Sequence, residues 1–344
     1  FPESDGTLEW KATTLVVVEA TAANRTGIGY TYADRGTAML LNDLLAEIVI
    51  GRDVMATASN WLAMVRTIRN LGRPGISSMA IAAADSALWD LKARILELPV
   101  VALLGAARDR VPIYGSGGFT SYSEEQLRRQ LSGWAEQGIP RVKMKVGREP
   151  YRDVERVAAA REAIGSKVKL FVDANGAYTR KQALDLADRF HELGVSWFEE
   201  PVSSDDLEGL HFLRDHVPGG MQVAAGEYGY DLPYFERMLT SGAVDVLQAD
   251  ATRCAGITGF LQVTALCEAH SLLLSAHCAP SLHVHPCCAA LPVCHLEYFH
   301  DHVRIEHMLF DGTLLPCNGF LTPDLTRPGL GLEFKHSNAG QYRI

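Results

Sequence analysis

Two lysines, four acidic residues and a histidine close short apolar runs along this chain, and their types and spacing could do chemistry. Lys143 and Lys145 alternate with Val142, Met144 and Val146. Asp173 follows Phe171-Val172, Glu199 follows Trp197-Phe198, and Glu227 follows Ala225-Gly226, so the three lie 26 and 28 residues apart. Asp250 ends Gln248-Ala249, and His277 ends Ser275-Ala276. Three carboxylates that converge repel one another unless a cation neutralises them. Hard oxygen donors, one from each of three segments, suit Mg²⁺, with Mn²⁺ as a substitute. A histidine oriented by a carboxylate from the neighbouring segment is a general acid or base held in one tautomer. The series would set a divalent ion between two opposed proton-transfer groups. Each residue alone has a plainer reading: solvated lysines, a turn at Asp173-Ala174-Asn175-Gly176, a loop at Glu199-Glu200-Pro201, a core histidine. The joint pattern makes those readings improbable.

The elements that must position these groups are strands of a repeating unit. From Val111 onward a strand-then-helix pattern recurs eight times at roughly 20–30 residues per unit, the rhythm of a TIM-type barrel. Strands are expected over 111–115, 141–146, 168–173, 195–199, 222–226, 244–249, 272–277 and 293–298. Amphipathic helices are expected between most of them, as at Ser123–Gln137 and Arg180–Leu193, the first capped by Ser123 ahead of Glu124, Glu125 and Gln126. Barrel chemistry sits at the C-terminal strand ends, and side chains there alternate between lumen and helices. Lys143 and Lys145 then face the lumen, where unpaired ammonium groups are costly without anionic partners.

Residues 1–108 read as an α+β domain, with a strand at Thr13–Ala20, a turn at Gly27-Ile28-Gly29-Tyr30 and a helix from Met79 to Leu96 rich in alanine for close packing. Residues 109–308 are the barrel. The turn-rich tail, 309–344, lacks the strand–helix rhythm and is expected to return to the N-terminal domain.

A chain of 344 residues, 47% hydrophobic and 21% charged, has ample core for this arrangement. Its net charge of −9 argues against nucleic acid or an anionic membrane as the main partner. No apolar run is long enough to span a bilayer. Seven cysteines, with Cys287 and Cys288 adjacent and no C-x-x-C pair, point to neither a disulfide framework nor a zinc finger, but to reduced thiols in a cytoplasmic protein. The sequence starts at Phe1 and not Met, which is compatible with a further upstream segment or a lost signal peptide.

The series resembles the enolase superfamily and, within it, the mandelate racemase-like subgroup. Lys143-x-Lys145 resembles that family's K-x-K on the second barrel strand. Asp173, Glu199 and Glu227 fall where the family places three Mg²⁺ ligands, and Asp250 and His277 where the subgroup has its His–Asp dyad. Glu297, in His295-Leu296-Glu297-Tyr298-Phe299, matches a glutamate that hydrogen-bonds the substrate carboxylate. The resemblance covers nearly the whole chain and implies a (β/α)7β barrel under an N-terminal α+β capping domain completed by the tail at Pro328-Gly329-Leu330-Gly331-Leu332-Glu333. The capping domain lacks the family's usual first strand. Arg253-Cys254-Ala255-Gly256 departs from the K-x-G-G of many relatives, and no lysine follows Asp250 as it would in muconate cycloisomerases.

Such an enzyme removes the proton alpha to a carboxylate and stabilises an enediolate with its metal, as is general for this superfamily. The resemblance implies Lys145 and His277 as the two proton-transfer groups, Asp250 as the orienter of His277, and Lys143, Glu297 and Asn175 as substrate contacts. Lys145 must be neutral to accept a proton, and burial, Lys143 and the metal are expected to lower its pKa. Protonation of a departing beta hydroxyl by His277 would make a dehydratase yielding a 2-keto-3-deoxy acid; return of a proton to the same carbon would make a racemase or epimerase. Family frequency favours dehydration of a sugar acid. Gly27–Tyr32 and Ala56–Asn60 resemble the specificity loops, where Tyr30 and Tyr32 could contact polyol hydroxyls or simply pack. His283 and His285 read as structural. The implied partners are a small carboxylate substrate and further copies of the chain, a dimer to an octamer. A non-catalytic sugar-acid-binding protein would be expected to lose part of the set, and a zinc hydrolase would want histidine ligands.

Overall fold

A computed structural model of the chain describes residues 2–344. Eight parallel strands form a closed barrel: β5 (Val111–Gly117), β6 (Arg141–Lys145), β7 (Lys169–Asp173), β8 (Val195–Glu199), β9 (Gln222–Ala225), β10 (Val246–Ala249), β11 (Leu273–Ala276) and β12 (Val293–Phe299). Each pairs with the next, and β12 pairs back to β5 through Glu297 opposite Tyr114. All eight expected segments are strands, with ends within two residues of the expectation. Seven helices separate them, from Glu124–Glu136 to Pro280–Ala289, and His300–Leu309 follows β12, which is the (β/α)7β arrangement. Ser123 caps the first of these helices in a reciprocal capping box with Gln126.

The lumen floor is filled by Tyr114, Phe171 and Trp197 with Ala224 and Val246. Val142, Met144 and Val146 face the other way, into the layer between barrel and helices. Alternation along β6 therefore leaves Lys143 and Lys145 pointing inward above the aromatic floor.

In the N-terminal domain, β1 (Glu3–Ser4) and β2 (Glu9–Trp10) form a small hairpin, and β3 (Leu15–Ala22) and β4 (Arg25–Tyr32) a longer one against the helix Ile76–Ile95. The turn expected at Gly27–Tyr30 is instead strand. The hairpin reverses at Ala23 and Asn24, both with positive φ. Gly27 and Gly29 are there for proximity: a Cβ on Gly29 would sit 2.1 Å from the carbonyl oxygen of Ala83. Ala56–Asn60, expected as a loop, runs into the helix Thr57–Thr67, and the buried Asn60 side chain donates to the Asp53 carbonyl.

The tail packs on both domains. β13 (Phe310–Asp311) pairs with β15 (Glu333–Phe334), and β14 (Phe320–Leu321) runs antiparallel to the start of β5. Val100 N–H donates to Gly329 O at 2.8 Å. Asp90, fully buried, accepts from the backbone N–H groups of Ile28 and Leu330 and from Arg94. No helix of the described residues is long and apolar enough to cross a membrane.

Candidate active site and metal centre

Parallel register brings the strand ends level. Lys145 pairs with Asp173, Asp173 with Glu199, and Glu199 with Ala224, so the first three side chains stand side by side around the mouth. Ala249 pairs with Ala276 and Ala276 with Leu296, which sets Asp250, His277 and Glu297 level one residue further on. Gly226 carries φ of 131°, and a Cβ there would lie 2.2 Å from Gln248 O. A glycine is required for the backbone to pass β10 and deliver Glu227.

Oxygen atoms of Asp173, Glu199 and Glu227 lie within 4.8 Å of one another, and all three residues are buried. Lys143 lies 3.3 Å from Asp173 and 2.9 Å from Glu297, and contacts Glu199 more closely. Lys145 pairs with Asp173. Trp197 donates its ring N–H to Glu199 at 2.9 Å. On the far side of the mouth, His277 Nδ1 lies 2.9 Å from Asp250, whose other oxygen accepts from the backbone and hydroxyl of Thr252. His277 Nε2 faces inward, 3.2 Å from Glu227 and 3.6 Å from Glu297.

These ionisable groups are buried together at close range. Five carboxylates (Asp173, Glu199, Glu227, Asp250, Glu297) meet the cations of Lys143, Lys145 and Arg253 and the imidazole of His277. Burial and the neighbouring Asp173 push the Glu199 carboxyl up to about 8. That crowding is what a divalent cation among the three carboxylates would relieve. The donor set, all oxygen, fits Mg²⁺. Burial acts against the charge of Lys145, but Asp173 beside it wins and holds its ammonium above the ordinary lysine range. The expected lowering is thus reversed in this arrangement, because Asp173 is the lysine's counter-ion. His277 is likewise held well above the usual range: burial disfavours the imidazolium, but Cys278, Glu227, Glu297 and Asp250 around it favour it more.

The structure brings Lys143, Lys145, Asp173, Glu199, Glu227, Asp250, His277 and Glu297 into one mouth. Asn175 lies at its rim with φ of 47°, its N–H bonded to Asp173 and its side-chain oxygen buried without a partner. The two tyrosines read differently. Tyr30 is fully buried, gives its hydroxyl to Glu306 at 2.7 Å and stacks on Phe310, so here it packs. Tyr32, half-buried, stacks on His302 and donates to that residue's carbonyl, so its hydroxyl is also engaged in packing. His283 and His285 have structural partners: His283 accepts from Ala251 N–H and donates to Cys278 O, and His285 bridges Val101 N–H and Leu330 O.

Sequence reasoning missed several neighbours of the site. Arg253 donates to the Glu227 carbonyl and reaches toward Asp250; its place three residues after Asp250 was the available signal. Cys278 turns its thiol onto His277 and Glu297. Glu200 is buried, with one oxygen unpartnered, and burial with Glu227 nearby pushes its carboxyl up. The β1–β2 hairpin also sits over the rim. A Cβ on Gly6 would lie 2.3 Å from Ala174 O, and Asp5 caps the turn through Thr7 and Leu8 N–H. The Asp5-Gly6 pair signals that turn in sequence, but nothing in sequence says where it docks.

Comparison with known proteins agrees with this geometry. Residues 126–338 match the enolase C-terminal domain-like family, and residues 6–105 match the mandelate racemase/muconate lactonizing enzyme N-terminal domain. The chain is 31% identical to a 3,6-anhydro-alpha-L-galactonate cycloisomerase of Streptomyces coelicolor over 93% of this chain and 88% of that protein. It superposes with TM-score 0.97 on a mandelate racemase/muconate lactonizing enzyme-like protein from Rubrobacter xylanophilus, at 56% identity over 99% of this chain and 95% of the other. A racemase from Streptomyces coelicolor with bound magnesium superposes with TM-score 0.93, at 28% identity over 99% of this chain and 95% of that one. Other relatives are dehydratases of talarate/galactarate, arabinonate and gluconate. The chain belongs to the enolase superfamily, as an enzyme of its mandelate racemase-like subgroup.

Proposed function

We propose that this enzyme abstracts the proton alpha to the carboxylate of a sugar acid and eliminates the beta hydroxyl, giving a 2-keto-3-deoxy acid. The observation that carries the reading is the placement of Lys145 and His277 on well-separated strands of one barrel mouth, with three metal-competent carboxylates between them. Asp173, Glu199 and Glu227 would hold Mg²⁺, which when bound supplies charge stabilisation to the substrate carboxylate.

The chain's own residues divide the remaining work. Lys143, fully buried and held cationic by Glu199 and Glu297 despite its burial, is a fixed positive charge for the substrate carboxylate. Lys145 Nζ takes the alpha proton as the neutral amine, once its pairing with Asp173 is relaxed and its ammonium proton has passed to solvent. Asp250 bonds Nδ1 of His277, which leaves Nε2 to deliver a proton to the departing hydroxyl. Glu297 and Asn175 orient the acid. The dehydratases among the relatives favour elimination; a racemase among the structural neighbours makes same-carbon proton return the second reading.

A panel of mono- and diacid sugars incubated with Mg²⁺ tests this. Formation of a 2-keto acid from at least one of them is expected. Alpha-deuterium incorporation with inversion and no keto product would replace dehydration by racemisation, and inertness toward the whole panel would contradict the substrate class.

A further inference from the structure

Beside the all-oxygen triad lies a second donor cluster of different chemistry. His277, Cys278 and Glu297 each offer one ligand atom, all three residues buried. Cys278 Sγ lies 3.2 Å from His277 Nε2 and 3.3 Å from Glu297 Oε2, and Nε2 to Oε2 is 3.6 Å. A tetrahedral ion bound at about 2.3 Å to sulfur and about 2.0–2.1 Å to nitrogen and oxygen fixes donor–donor edges of roughly 3.4–3.6 Å. In the observed triangle the two sulfur edges, which should be the longest at about 3.5–3.6 Å, are the shortest and the nitrogen–oxygen edge is the longest, so the three donors would shift by a few tenths of an ångström to form one face of such a tetrahedron. Glu227 Oε2, also buried, lies 3.2 Å from Nε2 and pairs with it.

The backbone presents the thiol deliberately. Cys278 and Ala279 both carry positive φ, at 55° and 39°, a costly conformation for residues with a Cβ. Four contacts hold it: Cys278 N–H to Glu297, Ala279 N–H to His302, Cys278 O to His283, and Ser281 N–H to Glu306. The proton transfer proposed above makes and breaks no bond to that sulfur.

We propose that His277 Nε2, Cys278 Sγ and Glu297 Oε2 form a second cation site that takes a borderline-soft divalent ion of the Zn²⁺ class, and that its occupation switches turnover off. Thiolate and imidazole select such ions over Mg²⁺. On binding, the Sγ–H bond breaks and its proton, with any proton on Nε2, leaves to solvent as the metal–sulfur and metal–nitrogen bonds form. Nε2 can then no longer carry a proton. The site stands on its donor atoms alone, whereas the loss of turnover rests on the role proposed for His277.

The experiment uses the full chain saturated with Mg²⁺, titrated with Co²⁺ as an optical probe and with Zn²⁺ for turnover. A thiolate-to-cobalt charge-transfer band should grow to one equivalent in excess Mg²⁺, vanish in Cys278→Ser, and persist in Cys317→Ser, whose cysteine is exposed. Zn²⁺ should inhibit the wild type, with the inhibitory concentration raised at least about tenfold in Cys278→Ser. Circular dichroism of Cys278→Ser and Cys278→Ala identifies the folded variant to use. Absence of the band in the wild type, its survival in a folded Cys278 variant, or its suppression by Mg²⁺ would overturn the site. A band without inhibition would keep the site and overturn the switch.

Discussion

Lys143 and Lys145 differ by two positions and by their surroundings. Lys143 is enclosed by Asp173, Glu199 and Glu297, whereas Lys145 has the single partner Asp173. The first is a fixed charge; the second can be freed by whatever competes for Asp173. Lys145→Ala and His277→Asn should each lower kcat by about 10²–10⁴-fold, the usual contribution of a positioned acid or base, while Mg²⁺ binding measured calorimetrically persists. Glu227→Ala should instead weaken Mg²⁺ binding at least about tenfold, a bound taken from the loss of lesser partners. The triad and the dyad were legible because each residue terminates an apolar run at strand spacing. Arg253 and Cys278 were not, because sequence shows them beside a functional residue without showing which way the backbone turns their side chains. Which of the two readings of Tyr30 applies was not legible for a related reason: the Glu306 that takes its hydroxyl lies 276 positions away.

At the scale of elements, barrel strands and helices were legible because side-chain period and turn chemistry agree throughout 111–299. The N-terminal domain was harder. Gly27 and Gly29 carry a turn's composition, yet they sit in a strand because the alanine-rich helix Ile76–Ile95 approaches their backbone. This makes a contrasting pair of substitutions informative. Gly29→Ala should destabilise by about 1–3 kcal/mol, since its Cβ would meet Ala83 O and the helix must shift. Gly133→Ala, in the helix Glu124–Glu136 with open space around the added Cβ, should stabilise by about 0.4–1 kcal/mol. Denaturant unfolding of the two variants gives both signs; a neutral Gly29→Ala would contradict the close approach.

For the whole molecule, His285 is the junction. It accepts from Val101 N–H and donates to Leu330 O, so the helix Pro280–Ala289, the segment after Pro99 and the tail meet on one neutral imidazole. Burial lowers its pKa from the ordinary 6.5 to about 4. The folded value lies below the unfolded one, so between them the unfolded chain binds more protons. Its stabilisation is whole above about 6.5 and is lost as pH falls toward about 4, about 3 kcal/mol over that window. His285→Gln, which keeps a donor and an acceptor, should flatten that part of the stability profile measured by denaturant unfolding; an unchanged slope would assign the acid sensitivity elsewhere.

The junction and the barrel exist to hold one mouth, and its chemistry is tested most directly by proton NMR of a sugar-acid substrate in D₂O. With Mg²⁺ present, keto product is expected from the wild type, with C2–H loss that stops when the metal is chelated and that slows by about 10²–10⁴-fold in Lys145→Ala. Exchange at the wild-type rate in folded Lys145→Ala, or turnover indifferent to chelation, would contradict that chemistry.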